Sequence, residues 1–350
     1  MNQIKIGNRI ISSNHSPFVI AEAGINHNGS VTLAKKLVDM AKKAGADCFK
    51  IQTHIAEEEM IKTDIRPGKI SKKTLWSIIK NSELTEKEEL KIKEYCKKKK
   101  IIFLSTPFSI PAIDRLEKIN IPAYKIGSGE LTNIPFLKHI AKIRKPVILS
   151  TGMSNMEEIK KSVKLFQKFK IPIAILQTTS QYPCNYEDIN LKVIDNYKKI
   201  FNIPVGISDH SLGIYTALGA VARGASIVEK HITLDKKMKG PDQKLSLEYN
   251  ELSELVKGCN AIKLALGNSK KILKKELPIL NFARESVVVR EEIVKGEKFT
   301  EKNLITKRPN TGEIPAKEFY KVIGKRSKKN LKKNDQLKKG DILWKRKYYL

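Results

Sequence analysis

Residues 224–244 read GASIVEKHITLDKKMKGPDQK. Residues 225–228 have the small and β-branched composition of a buried strand, yet the next three are Glu229, Lys230 and His231. Burying three ionisable groups without partners would cost several kcal/mol, so a strand that ends this way is aimed at something polar. Side chains alternate along a strand, which puts Glu229 and His231 on one face.

The pattern recurs along the chain. Short apolar runs at 18–22, 48–53, 101–106, 123–128, 147–151, 173–179, 205–210 and 226–232 are each followed by a longer segment with helical spacing of apolar residues. SVTLAKKLVDMAKKAGA, from Ser30, and SNMEEIKKSVKLFQKF, from Ser154, are two such segments, and each begins on a serine suited to an N-cap. Eight strand–helix repeats predict an α/β fold, a (β/α)8 TIM barrel of parallel strands covered by helices, with an open doubly wound sheet as the alternative. Every run finishes polar, in Glu22, Lys50 to Thr53, Ser105 and Thr106, Lys125 and Ser128, Ser150 and Thr151, Thr178 to Ser180, Ser208 to His210, and Glu229 to His231. A barrel gathers the C-terminal ends of its strands round one mouth, so these groups converge on one pocket.

Near residue 283 the rhythm changes to short alternating segments joined by tight turns. Within them EIVKGEKFTEKNL repeats weakly as NLKKNDQLKKGDI, aligning Gly296 with Asn334, two residue types that tolerate positive φ. The expected organisation is a barrel over 1–282 and a small β-rich domain over 283–350 whose core is marginal by itself.

Composition narrows the function classes. The 350 residues carry 67 Lys and Arg against 37 Asp and Glu, a formal charge of +30, which invites an anionic partner. The lysines are spread along helix faces with acidic neighbours, as in SELTEKEELKIKEYCKKKK, and no aromatic residues are interleaved as stacking platforms. A solvated lysine-rich surface is therefore expected, and no nucleic-acid partner. Four scattered cysteines, Cys48, Cys96, Cys184 and Cys259, include no CxxC pair and read as separate buried thiols. The first residues lack a charged segment followed by an apolar run, and nothing approaches the ~20 apolar residues of a membrane span, so no membrane association and a cytoplasmic location are expected.

Of six histidines, only His210 and His231 fall at strand ends, on consecutive strands about 4.8 Å apart. They could share a divalent cation with positions left for water and substrate, or be satisfied by hydrogen bonds to Asp209 or Glu229. His15, His27, His54 and His139 read as loop or helix-surface residues. Lys50 and Lys125, with the hydroxyls of Thr106, Ser128, Ser150, Ser180 and Ser208, form a set suited to phosphate, and the GSGE turn from Gly127 adds backbone N–H groups. Two other readings stand beside it: a lysine paired with Glu130 or Glu229, and a Schiff-base lysine as in barrel aldolases.

The motifs FVIAEAGINHNGS, KIQTHIAEEEM, FLSTPFS, IPAYKIGSGELTNIPF, PVILSTGM, YPCNYEDINL, GISDHSLG, EKHITLD, GPDQ and KRPNTG run nearly end to end and in order. With them the chain resembles the bacterial sialic acid (N-acetylneuraminate) synthase family, which includes legionaminic acid synthases. The resemblance implies a phosphoenolpyruvate-binding barrel followed by an antifreeze-like (SAF, β-clip) domain. It implies a transferase that condenses phosphoenolpyruvate with open-chain N-acetylmannosamine to give N-acetylneuraminate and phosphate. The alternative acceptor is 2,4-diacetamido-2,4,6-trideoxymannose, giving N,N'-diacetyllegionaminate.

Residue by residue, the resemblance implies that His210 and His231 hold a divalent metal, Mn2+ first, with Mg2+ or Co2+ as substitutes. Glu22 would hold a metal-bound water or act as acid/base. Lys50, Thr106, Lys125, Ser128, Ser150, Ser180 and Ser208 would surround phosphoenolpyruvate, and Gln52, Glu130, Tyr182 and Asp242 the sugar. Arg308, in KRPNTG, would reach the N-acetyl group in the active site of the partner subunit of a homodimer. Position 180 is Ser where some members carry Asn, and 178 is Thr where Cys is common. GPDQ is closer to the neuraminic and legionaminic types than to the GGVD of pseudaminic synthases.

Overall fold

The structure is a computed structural model that describes residues 3–66 and 73–344. The chain divides into two compact units, Met1–Gly267 and Asn268–Leu350. The helix Leu277–Ala283, which precedes the change of rhythm at residue 283, therefore belongs to the second unit.

Eight strands build the first unit: β1 Phe18–Gly24, β2 Cys48–Thr53, β3 Ile102–Pro107, β4 Tyr124–Ile126, β5 Val147–Ser150, β6 Ile173–Thr178, β7 Val205–Asp209 and β8 Ile227–His231. Their hydrogen-bonded order is β3-β2-β1-β8-β7-β6-β5-β4, all parallel, and β3 packs beside β4. Pairing of the first strand with the last excludes an open doubly wound sheet and gives the (β/α)8 barrel. The register sets the site. Glu22 lies opposite His231 on one side and Lys50 on the other, and Glu229 lies opposite Ser208.

Two apolar layers flank the strands. Outward residues such as Val19, Phe49, Leu149 and Val228 pack under the helices. The inward Phe18, Ile20, Leu104, Ile148, Leu176 and Ile227 fill the lower barrel, against Ile4, Ile6 and Ile11. Those three isoleucines come from an antiparallel hairpin, Gln3–Ile6 with Arg9–Ser12, that stoppers the N-terminal end. Each such buried side chain contributes roughly 1.5–3 kcal/mol. Where this lower layer ends, the same inward faces turn polar.

Helix starts follow local hydrogen bonding. Ser30 caps Val31–Ala44 by accepting from the Leu33 N–H. For Met156–Lys168 the cap is Asn155 rather than the expected Ser154: its side-chain oxygen accepts from the N–H groups of Glu157 and Glu158. Glu158 reaches back to the Asn155 N–H at 2.8 Å, so the reciprocal box forms there; Ser154, which also stands three residues before a glutamate, Glu157, instead donates to the Gly152 carbonyl.

In the second unit, Ser286–Val289 pairs antiparallel with Leu304–Lys307, and Arg326–Ser327 with Ile342–Leu343. The two halves are built alike. Gly296 and Asn334 both take positive φ, 85° and 71°. The N–H of Val294 is held by the Glu297 carboxylate, and that of Lys332 by Asp335. Ile293 and Leu331 exchange backbone hydrogen bonds between the halves. The weak repeat is thus a structural one, and its shared core includes Val287, Ile293, Phe299, Leu331 and Leu337.

All four cysteines are free and buried. Among the described residues no helix is long and apolar enough to cross a membrane.

Candidate active site

Alternation along each strand carries charge into the upper barrel. Lys50, on β2, places Nζ 2.8 Å from Glu22 Oε2 and 3.6 Å from Glu229 Oε2, and donates to Thr106 Oγ1 at 2.9 Å. Lys125, on β4, lies 3.3 Å from Glu229 Oε1, which also accepts from Ser208 Oγ at 2.9 Å. Among the described residues Glu130 is not paired with either lysine; it accepts from Asn133. The lysines are thus paired with carboxylates, as one reading of the sequence allowed, and they remain beside a cradle of hydroxyls.

That cradle is centred on Gly152, whose N–H donates to Ser128 Oγ at 3.0 Å. A Cβ at Gly152 would collide with Ser180 Oγ and stand 2.8 Å from Ser128 Oγ, so only glycine lets the two hydroxyls approach. Ser150 Oγ is buried and has no hydrogen-bond partner among the described residues.

The electrostatics separate the two central carboxylates. Burial pushes both upward, but Lys125 and Lys50 outweigh it at Glu229 and hold that group down at about 2. At Glu22, burial exceeds the pull of Lys50, and the neighbouring Glu229 adds to it, so its pKa stays raised. Lys50 stays above its ordinary value, because Glu22 and Glu229 together outweigh the cost of burial. Burial lowers Lys125, against the pull of Glu229.

His210 and His231 come together, with ring centroids 5.6 Å apart. His210 Nδ1–H donates to the Thr179 carbonyl at 2.8 Å, which fixes the tautomer and leaves the Nε2 lone pair available. His231 Nδ1 is buried without a hydrogen-bond partner among the described residues, 3.9 Å from Asp242 Oδ2. Burial lowers both imidazoles, and His210 lowers His231 further, so both rings are neutral near pH 7. Neither is satisfied by Asp209 or Glu229: Asp209 instead pairs with Lys230.

Two neutral imidazoles, one with a bare buried nitrogen, fit a divalent cation. Among the described residues no three His, Cys, Asp or Glu side chains are gathered for a metal, so a cation held by this pair would complete its shell from water or substrate.

Tyr182 covers the pair, its ring 4.2 Å from His210 and 6.2 Å from His231. Asp242 is pushed up to about 7 by burial and by Glu22, and burial raises Glu130. Gln52 donates to Glu22 Oε1 at 3.4 Å. Arg308 belongs to the second unit, where its guanidinium lies 6.0 Å over the Phe282 ring.

Two histidines read as surface residues are buried. His27 is fully enclosed, and burial together with His54 lowers it to about 4. His54 is 4 % exposed, with Nδ1 bonded to Glu59 and Nε2 3.1 Å from the Gln52 side-chain oxygen. His54 lies one residue beyond β2, and its partners Glu59 and Phe108 come from other segments, so its position in the sequence did not place it in the site.

Residues 37–271 match the model of the NeuB family, and residues 284–343 match the SAF domain. The chain belongs to the NeuB family. It is 41% identical to the N,N'-diacetyllegionaminic acid synthase of Campylobacter jejuni, covering 91% of this chain and 98% of the relative. The pseudaminic acid synthase of the same organism is 37% identical, over 97% of this chain and all of the relative. Among solved structures, the N-acetylneuraminic acid (sialic acid) synthetase of Leptospira borgpetersenii, in complex with citrate, is 38% identical with a TM-score of 0.73, covering 79% of this chain and 95% of that one. For a NeuB-family barrel, the mouth with its two lysines, two carboxylates and two imidazoles is the natural seat of the chemistry.

Proposed function

We propose that this protein condenses phosphoenolpyruvate with the open chain of an N-acetylated mannosamine-type sugar, forming a nine-carbon 2-keto acid and releasing phosphate. The observation that carries the reading is the buried group Lys50, Lys125, Glu22 and Glu229 beside two neutral imidazoles. A trianionic enol phosphate needs fixed cations and hydroxyl donors, and a reaction that builds positive charge at C2 needs carboxylates close by.

In this reading Lys50, Lys125, Thr106 and the hydroxyls of Ser128, Ser150, Ser180 and Ser208 hold phosphoenolpyruvate. Gln52, Glu130, Tyr182 and Asp242 orient the sugar, with its aldehyde carbon facing C3 of the enol. His210 and His231 would hold a divalent cation, Mn2+ before Mg2+ or Co2+, the order that the resemblance to the sialic acid synthases implies. When bound, such an ion polarises the aldehyde as a Lewis acid.

C3 attacks the aldehyde carbon, a C–C bond forms, and the aldehyde oxygen becomes a hydroxyl by taking a proton. Glu229, held ionised, and Glu22 stabilise the cation left at C2. Water adds at C2, losing a proton to Glu22, and the resulting carbinol collapses to the ketone as the C2–O bond breaks and phosphate departs. Two different carboxylate environments suit these two roles.

N-acetylmannosamine is the first acceptor reading, supported by the likeness to the 38% identical N-acetylneuraminic acid synthetase of Leptospira borgpetersenii. The 2,4-diacetamido-6-deoxy sugar is the second, favoured by the 41% identical Campylobacter relative. A homodimer belongs to the same reading, with Arg308 serving the partner's site; Ile272, Leu273, Ile279 and Phe282 in the second unit are exposed and available for a second copy. The test is phosphate release from phosphoenolpyruvate with a panel of N-acetylated hexosamines and a divalent metal. Release that requires all three components supports the proposal. Release without sugar, or undiminished after exhaustive chelation, contradicts it.

A further inference from the structure

We propose that His54 is a positioning residue that fixes the orientation of the Gln52 amide, and through it the affinity for the sugar. This rests on the functional reading above and adds a residue to it. His54 follows β2 by one position, and three contacts immobilise its ring. Phe108 stacks on it with centroids 4.5 Å apart and planes 12° from parallel. Nδ1 faces both oxygens of Glu59, at 3.0 and 2.9 Å, with both side chains almost sealed from solvent; since Nε2 also faces an acceptor, the ring donates from both nitrogens and forms an ion pair with Glu59. Nε2 lies 3.1 Å from Gln52 Oε1.

The amide of Gln52 has ends of opposite polarity, and in a mouth lined by donors and acceptors it could present either. With its oxygen anchored at His54, its NH2 group points to Glu22 and to the open mouth; Gln52 is the one residue of β2 that is not fully buried. A locked donor binds a sugar oxygen without the cost of ordering the side chain first. Glu59 and Phe108 thus act at a distance: they hold the ring, the ring holds the amide, and the amide faces the sugar. The phosphoenolpyruvate side is reached only at one further remove, through Glu22 to Lys50, so the effect of His54 falls first on the sugar.

The experiment is steady-state kinetics of the full chain with the panel sugar that turns over best, in four proteins: wild type, His54→Leu, Gln52→Leu and the double variant. His54→Leu is expected to raise KM for the sugar at least tenfold while KM for phosphoenolpyruvate stays within twofold and phosphoenolpyruvate raises Tm as in wild type. In the Gln52→Leu background the same change is expected to add less than twofold, because the group it acts through is gone. Glu59→Gln, which keeps the packing, is the second variant should His54→Leu not fold; its expected rise in sugar KM is about threefold, absent in the Gln52→Leu background. Equal changes in both KM values, an unchanged sugar KM, or full additivity with Gln52→Leu overturns the inference while leaving the functional reading intact. A wild-type protein inactive with every sugar overturns both.

Discussion

Lys230 Nζ and Asp209 Oδ2 lie 3.2 Å apart with both side chains completely buried, on the outer faces of the two strands whose ends carry His231 and His210. Both groups have further partners: Lys230 also donates to the Ser211 carbonyl at 2.6 Å, and Asp209 accepts from Thr216 Oγ1 at 2.5 Å and the Ser211 N–H at 2.9 Å. It ties β8 to the chain just beyond β7, and so sets the spacing of the imidazoles on the other face. Removing one partner strands a buried charge. Lys230→Met is expected to lower the unfolding free energy by about 3–5 kcal/mol, whereas Lys230→Met with Asp209→Leu should cost much less than the sum of the single changes. Urea denaturation of the three variants measures this.

Gly152 is expected to be irreplaceable for the phosphate half of the site. A methyl group there would push Ser128 and Ser180 apart. Gly152→Ala should raise KM for phosphoenolpyruvate roughly tenfold, about 1.4 kcal/mol of binding, with a smaller change in KM for the sugar. Initial rates with each substrate varied in turn decide it.

Glu89 faces the packed side of the helix Glu86–Lys98 and is fully buried, with the Thr53 hydroxyl and Arg115 as its favourable polar neighbours. Burial raises its pKa from 4.5 to about 7. The folded protein therefore binds more protons than the unfolded chain between those values, so this group's contribution to stability falls as pH rises from about 4.5 to about 7 and is flat above. Glu89→Gln should remove that slope and stabilise the protein at pH 8 by on the order of 3 kcal/mol, with little effect at pH 4. Thermal unfolding across the pH range tests the sign.

A Schiff-base mechanism requires a lysine free to attack a carbonyl. Lys50 is clamped by Glu22 and Thr106, and Lys125 faces Glu229. Borohydride added during turnover is expected to leave no substrate adduct on either residue, as read by mass spectrometry of the digested protein. An adduct on Lys50 or Lys125 would replace the condensation mechanism proposed above with an aldolase one.

The barrel was legible because one signal repeats: apolar runs with helices between them and polar residues at each C-terminal end. Alternation then assigned Lys50 with Gln52, Ser208 with His210, and Glu229 with His231 to common faces, and the register sets Glu22 beside Lys50 and His231. Residues whose role depends on distant partners were harder to see. His54 looks like a loop residue until Phe108 stacks on it and Glu59 turns back to it. Lys230 points away from the site and matters only because Asp209 meets it there. The N-terminal hairpin was missed although Gly7, at φ 57°, precedes Asn8 between two alternating segments, a turn signal for two paired strands. Ser154 and Asn155 each stand three residues before a glutamate, so the sequence alone does not choose between them as the cap.

The central claim is that carbon–carbon bond formation leaves a cation at C2 to which water adds, so that phosphate departs with the oxygen that joined it to the enol. Turnover of phosphoenolpyruvate labelled with 18O at that bridging oxygen tests it directly, with product and phosphate analysed by mass spectrometry. The label is predicted in the phosphate, with the keto oxygen of the product drawn from solvent. Label retained in the keto acid would mean that the phosphorus–oxygen bond broke instead, and would contradict the account.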